Sequence, residues 1–252
     1  MTAENLKHKE FSLDELSEKE KKDHDPMIQF YLSGKYQDKE IYEISFSWAK
    51  KSADQGYADG MGRLGWHYMH GCGCKKDLKK AFKLFKEGAE KGSILAMNNL
   101  AILFNSDDNP EQNKSEALKW YKKAAEKGSS DAQYNLGQMY YYGEEVEMNK
   151  TEAFKWYLLA ANQGDEDAQF KVGTMYDMGE GVTEDENEAF GWLTRAAEQN
   201  CAHAQAMLGL MYEKGRGVPK DKDEARRLYK LAADQGDFHG LEMLEALNSY
   251  VD

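Results

Sequence analysis

Residues 132–164 read AQYNLGQMYYYGEEVEMNKTEAFKWYLLAANQG, and residues 204–236 read AQAMLGLMYEKGRGVPKDKDEARRLYKLAADQG. The offset between them is 204 − 132 = 72, which is two periods of 36. Working outward, Gly56, Gly92, Gly128, Gly164, Asn200 and Gly236 follow one another at that period. Ala pairs keep step at 124–125, 160–161, 196–197 and 232–233, and so does the series Tyr68, Phe104, Tyr140, Tyr176, Tyr212. A period of this length is the mark of a repeat architecture. It defines five full units, 57–92, 93–128, 129–164, 165–200 and 201–236. A degenerate unit at 24–56 precedes them, and a truncated one, FHGLEMLEALNSY, follows.

Each unit reads as two helices. Ala132, Leu136, Met139 and Tyr140 form one stripe at helical spacing, and Ala153, Trp156, Tyr157 and Ala160 form another. The small residues let two helix backbones approach, and the aromatics fill the remaining wedge. Asn113 with Glu116, Asn149 with Glu152, Asp185 with Glu188 and Asp221 with Glu224 fit reciprocal capping boxes that open the second helices. Asp77 has Lys80 in that place and keeps only the cap. The glycines at 56, 92, 128, 164 and 236 suit a left-handed helix end, with Asn200 the usual substitute. Gly71, Gly179 and Gly215 sit where the chain reverses between helices. The unit at 93–128 has SDDNPEQ there, so a different loop is expected.

The marks Leu-Gly, Tyr, Gly-x-Gly-Val, Ala, Trp-Tyr and Ala-Ala occur in order, and the chain over residues 24–250 resembles the Sel1-like repeat family, a relative of the tetratricopeptide repeat. The resemblance implies an all-α fold, an α/α solenoid winding as a right-handed superhelix, with first helices on the concave face. It also implies a scaffold, adaptor or inhibitor that binds other proteins; bacterial members include immunity proteins that neutralise toxins. A secreted, cysteine-rich branch carries a Cys pair in each repeat and a β-lactam-related activity. Those positions are Ala here, so that activity does not carry over.

Composition narrows the function. The chain has 252 residues, with 33 Lys+Arg against 45 Asp+Glu, a net charge of −12. That excess argues against a general grip on nucleic-acid backbones or anionic membranes, and favours partners with basic or apolar surfaces. No apolar run is long enough to span a membrane, and MTAENLKHKE has no secretory core. With three Cys, no disulfide framework is expected, which points to a reducing, cytoplasmic address. Residues 1–23 are rich in charge and are expected to be either a mobile arm or a short capping helix, with a capping box from Ser12 to Glu15 and a staple from Phe11 to Leu16. Residues 237–252 are expected to cap the other end.

Each chemically suggestive cluster also has a packing explanation. His67, His70, Cys72 and Cys74 have the composition of a zinc site. Yet Cys74 stands where other units have Val146, Val182 and Val218, and His67 where they have Met139, Met175 and Met211, so both read as core residues. The Gly-x-Gly loops lack a preceding strand and a GxxxxGK[ST] pattern, so they are repeat turns and not phosphate cradles. No Ser, His and Asp fall in a recognisable catalytic pattern. The expectation is therefore no enzyme, no cofactor and no metal.

The informative residues are those the repeat does not require. Numbering the leading small residue of each first helix zero, offsets 2, 6, 9 and 10 lie opposite the core stripe at 100° per residue. There the chain places Trp66, Met69, His70, Ile102, Tyr134, Tyr141, Tyr142, Phe170, Met178 and Leu210, with Asp177 and Glu213 among them. One reading is an apolar, aromatic groove with an acidic margin for a partner protein; the other is packing between neighbouring first helices. Tyr141, Tyr142 and Trp66 are the leading contact residues. The functional expectation is a monomeric, non-enzymatic interaction module. The alternative is an immunity-type inhibitor whose acidic charge speeds encounter with a basic target; a weak hydrolase is a remote third.

Overall fold

A computed structural model describes residues 12–109 and 112–249. Among the described residues there are fourteen α-helices and no strand. The chain divides into two compact units, Met1–Ser129 and Ser130–Asp252. The first holds α1 (Leu13–Asp23), α2 (Pro26–Gln37), α3 (Tyr42–Asp54), α4 (Ala58–His70), α5 (Leu78–Glu90), α6 (Ile94–Asn105) and α7 (Lys114–Glu126). The second holds α8 (Ser130–Tyr142), α9 (Lys150–Asn162), α10 (Glu166–Met178), α11 (Glu186–Glu198), α12 (Ala202–Lys214), α13 (Lys222–Asp234) and α14 (Phe238–Ser249). Within each unit, consecutive helices pair as α2/α3, α4/α5, α6/α7, α8/α9, α10/α11 and α12/α13. The fold is an all-α, α/α repeat solenoid.

Small residues set the pairing. A methyl group added at Gly65, Gly137 or Gly209 would stand 2.5–2.8 Å from the ring of Phe85, Tyr157 or Tyr229 on the second helix of the same repeat. At Gly173 it would stand 2.8 Å from Leu193. The bulky residues therefore lie flat on bare first-helix backbone, and all four are fully buried. Contact this close is what a well-packed core requires.

The ends of the second helices are defined by three bonds each. Asp77, Asn113, Asn149, Asp185 and Asp221 accept from the backbone N–H three residues on, at 3.0–3.1 Å. The expected return arms from Glu116, Glu152 and Glu224 do not form; these carboxylates pair one turn on with Lys119, Lys155 and Arg227. The reason is tertiary. The N-cap N–H that a return arm needs already donates to the first helix, from Asp77 to Tyr68 O, Asn113 to Phe104 O, Asn149 to Tyr140 O, Asp185 to Tyr176 O and Asp221 to Tyr212 O. At the other end, Gly92, Gly128, Gly164, Asn200 and Gly236 adopt φ between 70° and 95°. The next residue then donates back over the turn, as in Ser93 to Gly88 O and Asp165 to Ala160 O, the closure expected for a left-handed helix end.

The termini differ from the interior. Ser12 and Glu15 form the full two-armed box at the start of α1. Leu16 is buried with Ile28 and Leu32 of α2. Phe11, the other half of the expected staple, lies outside the described residues, as do residues 1–10 of the arm and 250–252 of the last segment. So do Pro110 and Glu111 of the SDDNPEQ loop, in which Asn109 donates to Leu103 O at 2.9 Å. On α14, Gly240 and Leu247 are buried while Phe238 and Leu241 stand exposed. No helix among the described residues is long and apolar enough to cross a membrane.

Candidate functional site

In the first unit, the small-residue stripe of α4 turns Trp66 away from the Phe85 contact and towards Tyr42 and His70. Its ring centroid lies 4.7 Å from that of His70 and 6.4 Å from that of Tyr42. Trp66 and Met69 are half-buried, His70 is exposed, and Ile102 is half-buried on α6. His67 belongs to the interior. Its Nδ1 donates to Cys72 O at 2.7 Å, and Nε2 lies 2.9 Å from Ser45 Oγ. Burial, with Arg63 and His70 nearby, lowers its pKa against the opposing pull of the Cys72 carbonyl. The Cys74 thiol donates to His67 O at 3.4 Å. Ser45 and His67 are both fully buried, so this hydroxyl–imidazole pair meets no substrate. Among the described residues no three His, Cys, Asp or Glu side chains are grouped to hold a metal ion.

In the second unit, Tyr134 and Tyr141 of α8 flank Tyr157 of α9, with ring centroids 5.5 and 6.5 Å away. Tyr142 stands edge-on to Tyr141 at 5.0 Å and is 58% exposed. The Tyr141 hydroxyl donates to Glu180, which also accepts from Lys150 Nζ. That bond, with burial, pushes the Tyr141 pKa up to about 12. Lys150 and Tyr141 in turn hold the Glu180 carboxyl below the usual range. The Tyr157 hydroxyl is buried without a partner. Its counterpart two repeats on, Tyr229, donates to Glu213 at 2.9 Å.

The two acidic residues expected at the margin are engaged internally. Arg216 bridges Asp177 and Glu186, both at 2.8 Å, and Glu213 holds Tyr229 and Lys214. Each therefore offers a partner much less charge than its formula suggests.

Phe170 and Leu210 do meet at one place. With Ala206 and Met207 of α12 and Met243 of α14 they line a cavity of about 350 Å³. His203, His239 and Asp237 complete its lining. His203 Nε2 lies 3.6 Å from Asp237, whose other oxygen accepts the Gly240 N–H at 2.6 Å. Met178 stands 62% exposed at the end of α10. Sequence reasoning missed Met207 and Met243, although their signal is in the repeat. At offset 3 the earlier first helices carry Arg63, Asn99, Asn135 and Lys171, and only the last two carry Met.

A Sel1 repeat family model matches six consecutive segments, residues 29–57, 58–93, 94–129, 130–165, 166–201 and 202–237. The chain is similar to a Sel1 repeat protein from Oxalobacter formigenes, with 30% identity, 86% of each chain covered and a TM-score of 0.75. It is also similar to a protective antigen of uropathogenic Escherichia coli with an SLR fold, at 29% identity and TM-score 0.76, over 93% of this chain. This chain spans 51% of that antigen's length. An immunity protein from Pseudomonas aeruginosa matches at 19% identity and TM-score 0.51, over 79% of this chain and 76% of its own, which shows a shared fold alone.

Proposed function

The chain belongs to the Sel1 repeat family, whose members generally mediate protein–protein interaction, and from that premise we propose that it is a non-catalytic binding module whose partner docks on the first-helix face of the second unit. The observation that carries this reading is the cavity between α10, α12 and α14. Apolar Phe170, Ala206, Met207, Leu210 and Met243 converge there around about 350 Å³, room for a large apolar side chain. Tyr142 and Met178, both mostly exposed, extend the apolar surface along the same face. A protein segment supplying one Leu, Met or Phe anchor fits these features. Charge complementarity contributes less, because Asp177 and Glu213 already have partners. The three cysteines are free thiols, which suits a reducing compartment.

The test is affinity capture from native extract, read by mass spectrometry. Wild type is compared with a Tyr142→Ala, Met207→Ala, Met243→Ala variant that retains its melting temperature. The expected result is one protein held by wild type and lost by the variant. Equal capture by both would overturn the docking face. The captured protein then separates the two roles. Stoichiometric loss of its activity on binding makes this chain an inhibitor, and unchanged activity makes it an adaptor.

A further inference from the structure

The second-helix side of the first unit carries a charge opposite to that of the chain. Residues 75–91, which include α5, hold seven Lys against Asp77, Glu87 and Glu90, a local net charge of 7 − 3 = +4 in a chain of net −12. The next second helix with its C-terminal flank, residues 114–127, repeats the bias with five Lys against Glu116 and Glu126, or +3. A local reversal of this size focuses the field on counter-charged partners.

The basic surface is also concave. Between α3 and α5, with α4 beneath, lies a cleft of about 440 Å³. Its floor includes Met61, Leu64, Tyr68 and Leu84, and its rim carries Lys50, Lys80, Lys83 and Lys91 against Asp54 and Glu87, a balance of 4 − 2 = +2. Lys50 pairs with Asp54 at 2.6 Å and Lys91 with Glu87 at 3.0 Å. Lys80 reaches back to Asp77 at 3.3 Å. Lys83 is exposed and pairs with no described residue.

We propose that this cleft is a second binding site, separate from the face on α8–α14, and that it takes an acidic polypeptide segment carrying an apolar anchor. The anchor enters between Leu64, Tyr68 and Leu84, and flanking carboxylates meet Lys83, Lys80 and Lys50. Two features select a peptide over a bare polyanion. The apolar floor has nothing to offer a phosphate backbone, and the remaining acidic surface repels a long uniform one. A short acidic segment pays that repulsion over only a few residues.

The experiment is fluorescence anisotropy on the full chain with a fluorescein-labelled peptide in which glutamates flank a Leu-Phe pair. Binding to wild type is expected to be saturable and to weaken with added salt. A Lys50→Glu, Lys83→Glu variant turns the rim from +2 to −2. It should keep its melting temperature and lose affinity by about tenfold or more, about 1.4 kcal/mol per tenfold. A glutamine version of the peptide, and one with Ser-Ser in place of Leu-Phe, should each bind at least about tenfold more weakly. Tyr142→Ala should leave peptide binding unchanged. The proposal is overturned by equal binding of either control peptide, by an unaffected charge-reversal variant, or by no saturable binding. Tighter binding of a single-stranded oligonucleotide than of the acidic peptide overturns it in favour of a nucleic-acid surface.

Discussion

Single positions show how strictly local geometry is set. Gly191 lies inside α11 with open space where a side chain would go, whereas a methyl at Gly209 would stand 2.8 Å from the Tyr229 ring. Gly191→Ala should therefore stabilise by about 0.5–1 kcal/mol, and Gly209→Ala should destabilise by about 1–3 kcal/mol, both read by urea denaturation. Glu145 takes φ 57° where the neighbouring repeats have Gly181 and Gly217. Left-handed backbone is costly for a side chain with a Cβ, so Glu145→Gly should raise the melting temperature. His67 gives a pH dependence. Its folded-state pKa lies below the unfolded value of about 6.5, so the unfolded chain takes up the proton first. Stability is then complete above about pH 6.5 and declines as pH falls from there towards the lowered folded-state value. His67→Met, which installs the residue found at Met139, Met175 and Met211, should flatten that decline in denaturation series across this range. An unchanged pH profile would assign the decline to other groups.

Helix pairs were legible in the sequence because period, small residues and end signals all point the same way. Ala160, placed on the second-helix stripe by spacing alone, is fully buried. Ala160→Leu should cost about 1–3 kcal/mol by overpacking, and a melting curve unchanged by it would contradict the helix register. What could not be read was anything decided between helices. The glutamates of the expected capping boxes lost their target because Tyr140, Tyr176 and Tyr212 carbonyls take the N-cap N–H first. A recurring pair, in which an exposed glutamine at a second-helix end donates to a buried one on the first helix, was not legible for the same reason. Gln55 donates to Gln29, Gln163 to Gln133, Gln199 to Gln169 and Gln235 to Gln205, all at 2.7–2.9 Å. Where one member is Lys91, the other is Met61, 4.0 Å away. Apart from the degenerate first pair, 26 residues apart, the pairs sit 30 residues apart in the sequence, but polar residues at a helix end look like solvated surface until the first helix is laid beside them.

Across the molecule, the repeat sequence announced the family and the face that carries exceptions to the repeat. The use of those exceptions was less legible. Tyr142 and Met178 stand exposed and Phe170 lines the cavity, whereas Asp177, Glu213 and Tyr141 are held within the fold. Glu213 is held by Tyr229 and Lys214; for Tyr141 and Asp177 the difference lies in one recurring three-residue contact. In one repeat Glu180 joins Tyr141 and Lys150; in the next, at the same three positions, Arg216 joins Asp177 and Glu186. The contact is conserved in place and reversed in sign, so successive joints work like differently cut keys. Excising residues 165–200 would bring Arg216 against Lys150, a like-charge meeting where an ion pair had been. The shortened chain should melt well below a version that also carries Arg216→Glu, which restores the match. A solenoid of near-identical blocks would tolerate loss or duplication of any one of them. This chain instead has an order written into its joints, and a spliced or recombined copy would be marked as faulty by its own electrostatics.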